Sequence, residues 1–259
     1  MTRRRVALVL AASQGLGRAS AEALATAGLD VAVCSRTEEG VSKTVAALAE
    51  MGVRSSGLPT DVTDTAQLEA LFAHVDDVFG RLDVLVTNAG GPPPGGFEQL
   101  DDDAWAKGYE LTLMSTIRAI RLALPRMRAT GFGRIVVIGS SSVRRPIPGL
   151  LLSNAYRPAL AGIVKSLAVD LGPEGITVNM VSPGRILTER VQELDAKRAA
   201  AQGVDPSEVQ RASEATIPFG RYGDPKELGA AVAFVASEAA SYMTGQSILI
   251  DGGLVPTIP

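Results

Sequence analysis

The short stretch "SNAYRP", residues 153–158, joins a phenol to a guanidinium, and such a pair can transfer a proton. A tyrosine hydroxyl has a reference pKa of about 10, which a neighbouring cation can lower. Tyr156 adjoins Arg157, whose guanidinium is protonated at ordinary pH. Pro158 follows and, inside a helix, would clash with the carbonyl of Asn154, so we expect a kink or a late helix start. Tyr156 is therefore either a proton donor or a packing or interface residue.

A glycine-rich turn near the amino terminus has the spacing of a phosphate-binding loop. In "LAASQGLGRASAEALATAG" (10–28), Gly15 and Gly17 stand between an apolar run and an alanine-rich helical pattern. Glycines let the backbone approach a pyrophosphate, and the amides that open the helix from about Leu16 supply donors and the positive end of a dipole. The alternative is a tight strand-to-helix turn that binds nothing.

The next apolar run ends in "VCSRT" (33–37), and its last residues indicate which dinucleotide such a turn would hold. A site for NAD usually has Asp or Glu there, which accepts a hydrogen bond from the ribose 2′-hydroxyl. This chain has Ser35 followed by Arg36. Because Arg36 can bind a 2′-phosphate through charge-assisted hydrogen bonds, NADP(H) is favoured over NAD(H). The alternative is that Arg36 lies in solvent at a strand end.

The elements that must position these residues are short β-branched runs separated by segments of helical periodicity. The runs lie at 6–10, 31–35, 84–88, 135–140, 177–182 and 247–251. Continuous apolar runs between helices indicate buried parallel strands joined by right-handed crossovers. We therefore predict an α/β fold, a Rossmann-type doubly wound parallel sheet in a single domain over residues 1–259. The proline-rich "GGPPPGG" (90–96) follows a strand end, where such folds place ligand loops.

Composition and charge exclude several classes of protein. Of the 259 residues, 46% are hydrophobic and 20% charged, as in a soluble globular protein. A net charge of −3 argues against nucleic acid or an anionic membrane as a partner. The lone Cys34 excludes an internal disulfide and the lone His74 excludes most metal sites, so we expect a cytoplasmic protein without a bound metal.

The amino terminus, "MTRRRVALVLAASQG", superficially resembles a secretion signal, with a basic start and an apolar run. The apolar core "VALVLAA" is short and leads directly into the glycine-rich turn, so we interpret it as the first strand. No stretch approaches the ~20 apolar residues of a membrane span.

Ordered motifs along the chain carry a resemblance to a known family. They are "SQGLG" (13–17), "DVTD" (61–64), "NAG" (88–90), "GRIVVIGSSS" (133–142), "LAVDLGPEGITVNMVSPG" (167–184), "PFGRYGDPKELGAAVAFVAS" (218–237) and "SYMTGQSILIDGG" (241–253). From about residue 5 to 253 the chain resembles the short-chain dehydrogenase/reductase family, in particular its 3-oxoacyl-acyl-carrier-protein reductase-like members. One departure is Ala11, which stands where the family's phosphate turn has its first glycine.

The resemblance implies hydride transfer between a nicotinamide and a carbonyl or alcohol, with an Asn, a Ser, a Tyr and a Lys moving the proton. Ser140 matches the family's serine. The tyrosine, thirteen residues further on, is replaced by Ser153, and the lysine four residues later by Arg157. Thr112 stands at the asparagine position. Arg157 can still donate to ribose hydroxyls, whereas a serine hydroxyl is a far poorer acid than a phenol.

The same resemblance places the cofactor along the phosphate turn, the end of the second strand, the adenine pocket and two later loops. The implied contacts are Ser13, Gln14, Gly15, Leu16, Gly17, Ser35, Arg36, Asp61, Val62, Asn88, Ala89, Gly90, Arg157, Pro183, Gly184, Ile186 and Thr188. Pro183 and Gly184 would shape their loop whether or not anything binds.

Three interpretations of the function follow. The first is an NADP(H)-dependent oxidoreductase that acts on a small carbonyl or alcohol with an altered proton-transfer group, Ser140 orienting the substrate oxygen. The second is a catalytically silent cofactor-binding protein that scaffolds or regulates a partner. The third is non-redox chemistry on the same fold, such as an elimination. Turnover of the cofactor separates the first from the second.

The resemblance further implies a substrate lid and an oligomer. Residues 189–216 occupy the family's mobile lid, and their mixed charges specify no ligand shape. A homotetramer or homodimer would bury the segments Trp105–Arg128 and Asn154–Leu171, with the "SILIDGG" strand in a second interface. Four arginines at helical spacing would form a solvated or oligomer-facing stripe, namely Arg118, Arg121, Arg126 and Arg128.

Overall fold

Seven parallel strands form the central sheet of the computed structural model, which describes residues 4–257. They are β1 (Val6–Val9), β2 (Asp30–Ser35), β3 (Ser55–Pro59), β4 (Val84–Thr87), β5 (Gly133–Ile138), β6 (Ile176–Pro183) and β7 (Ser247–Ile250). Their order across the sheet is β3-β2-β1-β4-β5-β6-β7. The chain thus winds outward from β1 in one direction and from β4 in the other, which confirms the predicted doubly wound α/β fold.

Helices cover both faces of this sheet and bury it in two separate cores. One face carries α1 (Gly15–Thr26), α2 (Glu38–Glu50) and α9 (Pro225–Val235), and the other carries α3 (Thr65–Phe79), α5 (Ser115–Thr130) and α6 (Leu151–Leu171). Along β1, Val6 and Leu8 point into the second core while Ala7 and Val9 point into the first. Because successive strand residues face opposite sides, a strand covered on both sides must be apolar throughout.

Each of the six predicted runs contains a strand, but the sequence analysis missed β3. Its residues, "SSGLP", include no β-branched or aromatic side chain, so the composition gives no strand signal. The strand lies at the edge of the sheet, pairs with β2 alone and is only half-buried. An edge strand needs little apolar surface, which explains why its composition differs from that of the inner strands.

A π-helical turn interrupts the long helical segment that precedes β5. Helix α4 (Asp102–Tyr109) runs into this turn at Glu110–Met114, and α5 continues from Ser115. Such turns are rare, occur mostly as single turns inside α-helices and are frequent at functional sites. The turn contains Thr112, the residue at the family's asparagine position, and nothing in the sequence indicated it.

Helix α6 positions the altered catalytic residues on one side. It begins at Leu151, two residues before Ser153, and passes through Pro158 without ending, so the late start expected from this proline is not observed. Ser153 and Arg157, four residues apart, lie on the same face of the helix. Backbone hydrogen bonds from Gly95 to Gly149 and from Leu151 to Gly95 join the start of α6 to the proline-rich loop.

Two helices follow β6 within the predicted lid, α7 (Glu189–Gln202) and α8 (Pro206–Glu214). Thr188 caps α7 by accepting a hydrogen bond from the amide of Val191. Within residues 4–257, none of the helices is both long and apolar enough to span a membrane. The first three residues of the signal-like start lie outside the described part of the chain.

Candidate active site

A long cavity of about 2,070 Å³ lies over the carboxyl ends of the central strands. It begins between β1 and β4, the neighbours from which the chain winds in opposite directions, and doubly wound sheets bind their ligands at this position. It continues past the end of β5 to the underside of α7. Most of the predicted site residues line it, and the three that do not are Gly17, Thr112 and Tyr156.

The phosphate turn leaves backbone donors available at one end of this cavity. Helix α1 begins at Gly15, and its N-cap residue, Gln14, makes no side-chain capping hydrogen bond. The first amides of the helix can therefore donate to an anion, in the field of the positive helix end. Gly15 has a left-handed backbone with φ +55°, and a Cβ there would lie 3.5 Å from the Thr188 methyl group. The turn thus faces the start of the predicted lid.

Gly17 belongs to the packing around this turn rather than to the cavity wall. A Cβ at Gly17 would lie 2.3 Å from the carbonyl oxygen of Ala11 and 2.8 Å from the side-chain nitrogen of Asn88. Asn88 Nδ2 in turn donates to the Ala11 carbonyl over 3.1 Å. The missing side chain at position 17 is therefore a requirement of the contact between α1, β1 and β4.

Ala11 takes the backbone conformation that a glycine would favour. Among the described non-glycine residues it alone has a positive φ, +48°. An L-residue in the left-handed region costs about 1–2 kcal/mol, because its Cβ approaches the carbonyl oxygen. The departure from the family's first glycine therefore keeps the shape of the turn at the expense of local strain, and Ala11 still lines the cavity.

Arg36 and the residues of the predicted adenine pocket, Asp61 and Val62, line the same cavity as the phosphate turn. Arg36 is exposed at the end of β2 and makes no ion pair within the described residues, while Val62 is buried beside it in the cavity wall. Asp61 accepts a hydrogen bond of 2.9 Å from the amide of Thr63. That bond, assisted by the positive charge of Arg36, holds the pKa of Asp61 below its usual value. Arg36 is thus an exposed cation without an ion pair among residues 4–257, and it lines the same cavity as Asp61 and Val62.

At the other end, Ser140 and Ser153 bring two hydroxyls to the cavity wall, with Ser142 buried behind them. Ser140 Oγ accepts a hydrogen bond of 3.1 Å from the amide of Ser142, and its hydroxyl hydrogen has no acceptor among residues 4–257. Ser153 Oγ lies 3.3 Å from Ser142 Oγ. Both Ser140 and Ser153 line the cavity. Ser140 can therefore donate to a substrate oxygen, with Ser153 as the second hydroxyl nearby.

Arg157 brings a buried positive charge to the same wall. Its side chain donates to the carbonyl oxygen of Ile138 and lines the cavity, although only 8% of the residue is exposed. No carboxylate among the described residues pairs with it. Burial lowers the pKa of the Arg157 guanidinium to about 10, so the group stays protonated at neutral pH. Its remaining N–H groups are free to donate to an acceptor-rich ligand.

Thr112 provides no amide at the family's asparagine position. It is buried in the π-helical turn, and its Oγ1 has no hydrogen-bond partner in the described structure. A buried hydroxyl without a hydrogen-bond partner lowers the stability of the folded state, and such groups are rare in folded proteins.

Tyr156 points away from the reacting end of the cavity. Its hydroxyl donates to the backbone carbonyl of Trp105 over 3.0 Å, and its ring packs edge-on against Trp105 and near Tyr109. Burial, with Tyr109 adding to it, raises the pKa of Tyr156. A phenol that is a weaker acid than usual and already donates to a carbonyl suits the packing role, the second of the two roles considered for it.

We expect Tyr156→Phe to leave the turnover number within about threefold of wild type, because the lost hydroxyl does not face the cavity. The lost hydrogen bond should lower the free energy of unfolding by about 1 kcal/mol. Steady-state kinetics together with thermal unfolding measures both. A loss of about 10²-fold or more in kcat at unchanged NADPH affinity would instead identify Tyr156 as the acid.

Three hydrogen bonds that the sequence did not reveal hold the predicted lid in place. Arg190 of α7 donates to the carbonyl of Pro92 over 3.2 Å, which joins the lid to the proline-rich loop. Asp195, buried at 5% exposure, accepts hydrogen bonds from Arg185 at 2.9 Å and from the hydroxyl of Tyr222 at 2.7 Å. The partners are ten residues apart for Arg185 and Asp195 and 27 and 98 residues apart for the other two bonds, which exceeds the spacing of neighbours within one helix.

A family model and two relatives match nearly the whole chain. Residues 10–255 match the family model described as enoyl-(acyl carrier protein) reductase. The short-chain reductase protein NovJ of Streptomyces niveus is 36% identical over 248 residues, which cover 96% of this chain and 93% of that protein. The 3-oxoacyl-[acyl-carrier-protein] reductase FabG of Salmonella typhimurium is 36% identical over 251 residues, covering 96% of this chain and 97% of that protein.

Solved structures agree with this chain in fold over nearly its full length. A variant of actinorhodin polyketide ketoreductase with NADPH superposes with a TM-score of 0.94 at 34% identity, covering 98% of each chain. L-sorbose reductase from Gluconobacter frateurii, in complex with NADPH and L-sorbose, gives a TM-score of 0.93 at 29% identity, again covering 98% of each chain.

Proposed function

This chain belongs to the short-chain dehydrogenase/reductase family, and from that premise we propose that it is an NADP(H)-dependent oxidoreductase that interconverts a carbonyl and an alcohol. The observation that carries the proposal is the continuity of the cavity, which runs from the phosphate turn at Gly15 to the hydroxyls of Ser140 and Ser153. Such a cavity offers one end to a dinucleotide and the other to a small substrate.

The residues present fit NADP(H). The uncapped start of α1 offers backbone donors to a pyrophosphate, and Arg36 offers a free guanidinium to a 2′-phosphate. Asp61 and Val62 would line the adenine, and Asn88 to Gly90 the adenosine ribose. Arg157 would donate to the nicotinamide ribose, with Ile186 and Thr188 at the amide and phosphates. The NADPH complexes of the actinorhodin ketoreductase and of L-sorbose reductase support this choice of cofactor.

When bound, NADPH supplies the hydride. This chain then has to hold the substrate carbonyl and provide for the proton. The free hydroxyl hydrogen of Ser140 would donate to the substrate oxygen and orient it. Arg157, protonated and buried, would favour negative charge developing on that oxygen, because a cation acts more strongly away from bulk water.

The proton has to come from a source other than a phenol at position 153. Ser153 is a far poorer acid than a tyrosine, and Tyr156 lies outside the cavity. We therefore assign the proton to water held at Ser140 and Ser153, or to an acidic group of the substrate itself. A missing general acid typically lowers a rate by about 10²–10⁴-fold, so a slow reaction is expected.

The same substitutions support a second candidate, a cofactor-binding protein without turnover. A panel of ketones and ketoacyl thioesters separates the two. Steady NADPH oxidation with an equal amount of alcohol formed supports the oxidoreductase. Tight NADPH binding with no oxidation above the uncatalysed rate, for every compound, would contradict the oxidoreductase and favour the silent protein.

We also propose that the chain forms a homodimer or homotetramer. The segments expected at the interface expose apolar side chains, for example Tyr109 at the end of α4 and Val169 on α6, the latter 77% exposed. In the predicted arginine stripe, Arg118, Arg126 and Arg128 already form ion pairs within the chain. The apolar residues are therefore the better interface candidates. Light scattering at micromolar concentration should give at least twice the mass of one chain, and a single-chain mass would refute the proposal.

A further inference from the structure

Free positive charges collect at the substrate end of the cavity. Four cations line this end without a carboxylate partner in the described part of the chain, and they come from three separate elements: Lys107 of α4, Arg145 after β5, and Lys197 and Arg198 of α7. Elsewhere on the surface, by contrast, many arginines are ion-paired within the chain, for example Arg126 with Asp76 and Arg128 with Glu174.

Helix α7 forms one wall of this end of the cavity, and both lid cations belong to that wall, as does Asp195. Asp195 is buried and accepts hydrogen bonds from Arg185 and from the hydroxyl of Tyr222, which anchors the helix. Lys197 and Arg198 are exposed and form no ion pair within residues 4–257, so their charges are available to a ligand in the cavity.

Carboxylates on the same walls do not cancel this charge. Glu110 is paired with Arg118, Asp195 with Arg185, and Glu193 lies 3.8 Å from Arg190. Glu189 lines the cavity without an ion pair among residues 4–257, and buried Arg157 adds a fifth positive charge to the cavity wall. In a chain whose net charge is −3, this is a local positive field within a cleft, where low-dielectric walls strengthen it.

We propose that the substrate is a carbonyl compound with an anionic group, a carboxylate or a phosphate, which Arg145, Lys197 and Arg198 bind at the mouth of the cavity. This inference rests on the proposed oxidoreductase function and adds the substrate class to it. The carbonyl would lie at Ser140, and an apolar body would contact Pro94, Ile147 and Leu194, which line the intervening wall. Oxo acids and thioesters of phosphopantetheine both have this layout.

Matched pairs of substrates test the proposal and separate the two sources of charge. We would measure kcat/KM with NADPH for 5-oxohexanoate against its methyl ester, and for acetoacetyl-phosphopantetheine against acetoacetyl-pantetheine. The charged member of at least one pair should be preferred by about 10-fold or more, mainly through KM, and the preference should weaken at high salt. The pair with the preference identifies the anion as carboxylate or phosphate.

The variant Lys197→Met/Arg198→Met, and separately Arg145→Met, should reduce that preference at least about fivefold, mainly by raising KM for the charged member of the pair. Arg211→Met is the matched control. Arg211 is an exposed cation of α8 that does not line the cavity, so its loss should not affect the preference. Equal rates for charged and neutral members in the wild type would overturn the proposal. So would a preference that survives both cavity variants.

Binding measurements distinguish this failure from failure of the oxidoreductase function. Titration calorimetry of the NADPH-loaded protein with glutarate and with inorganic phosphate needs no turnover. Saturable binding of either anion would support the anion site even if no carbonyl is reduced, provided that Lys197→Met/Arg198→Met loses this binding and Arg211→Met keeps it. If Lys197→Met/Arg198→Met binds NADPH more weakly but still binds the anions as well as the wild type, these two cations bind the cofactor. That result would overturn the proposal.

Discussion

The double variant Ser153→Tyr/Arg157→Lys should reduce carbonyl substrates about 10²–10⁴ times faster than the wild-type chain. A positioned general acid contributes an effect of this size, equivalent to about 3–5 kcal/mol of barrier. Position 153 lines the same cavity as Ser140, and its hydroxyl lies 3.3 Å from that of Ser142, so we expect a phenol there to face the substrate. A lysine at 157 would lie on the same face of α6, one turn away, and lower the pKa of the new phenol.

Two companion variants make this result specific. Ser153→Phe/Arg157→Lys introduces the ring without the hydroxyl and should gain nothing, whereas Arg157→Lys alone tests the cation. NADPH consumption at saturating cofactor gives the rates, and cofactor titration shows that each variant still binds. If the tyrosine variant folds and binds NADPH yet gains no activity, the π-helical turn around Thr112 or the proline at 158 has displaced the site. The silent cofactor-binding function would then be the better description.

Replacing Arg36 by Asp should raise the dissociation constant of NADPH by about 10²-fold and remove or reverse the preference over NADH. Each charge-assisted hydrogen bond to a phosphate contributes about 1.5–3 kcal/mol, or roughly one to two decades of affinity. The new carboxylate would also repel the 2′-phosphate, and it could accept from the 2′-hydroxyl of NADH. Asp61 nearby would lose the cation that helps to lower its pKa, so that pKa should rise.

Fluorescence titration with both cofactors measures this change. Arg36→Gln should fall between wild type and Arg36→Asp, since it removes the charge without reversing it. Arg211→Asp alters the net charge by the same amount at an exposed residue that does not line the cavity, and it should leave both affinities unchanged. Equal affinity of the wild-type chain for NADPH and NADH would show that Arg36 lies in solvent and selects nothing.

The fold could be predicted from the sequence wherever burial acts on both faces of an element. The inner strands must be apolar at every position, so runs such as "VALVL" and "IVVIG" indicate them directly. Edge strand β3 lacks that constraint, and its serines and proline carry no signal. The π-helical turn at Glu110–Met114 was not predicted either, because its sequence, "ELTLM", is one that an ordinary amphipathic helix could also have.

Within the site, motif spacing brought the right backbone positions together but could not show where side chains point. Ser140, Ser153 and Arg157 do meet in one cavity. The direction of Tyr156 depends on the carbonyl of Trp105, about fifty residues away in the chain. The hydrogen bonds that Asp195 accepts from Arg185 and Tyr222 likewise join separate parts of the chain, so only the folded chain shows how α7 is anchored at the cavity.

The packing of Gly17 bears on how degenerate members of such a family should be identified. A side chain at this position would collide with the Ala11 carbonyl and with Asn88, whether or not a dinucleotide is present. A family member that has lost its catalytic activity would still be under selection to retain glycine at this position, because the fold requires it. The glycine motif therefore indicates common ancestry and a shared fold. Loss of activity is better recognised from substitutions at residues that the fold does not require, such as Ser153 and Arg36.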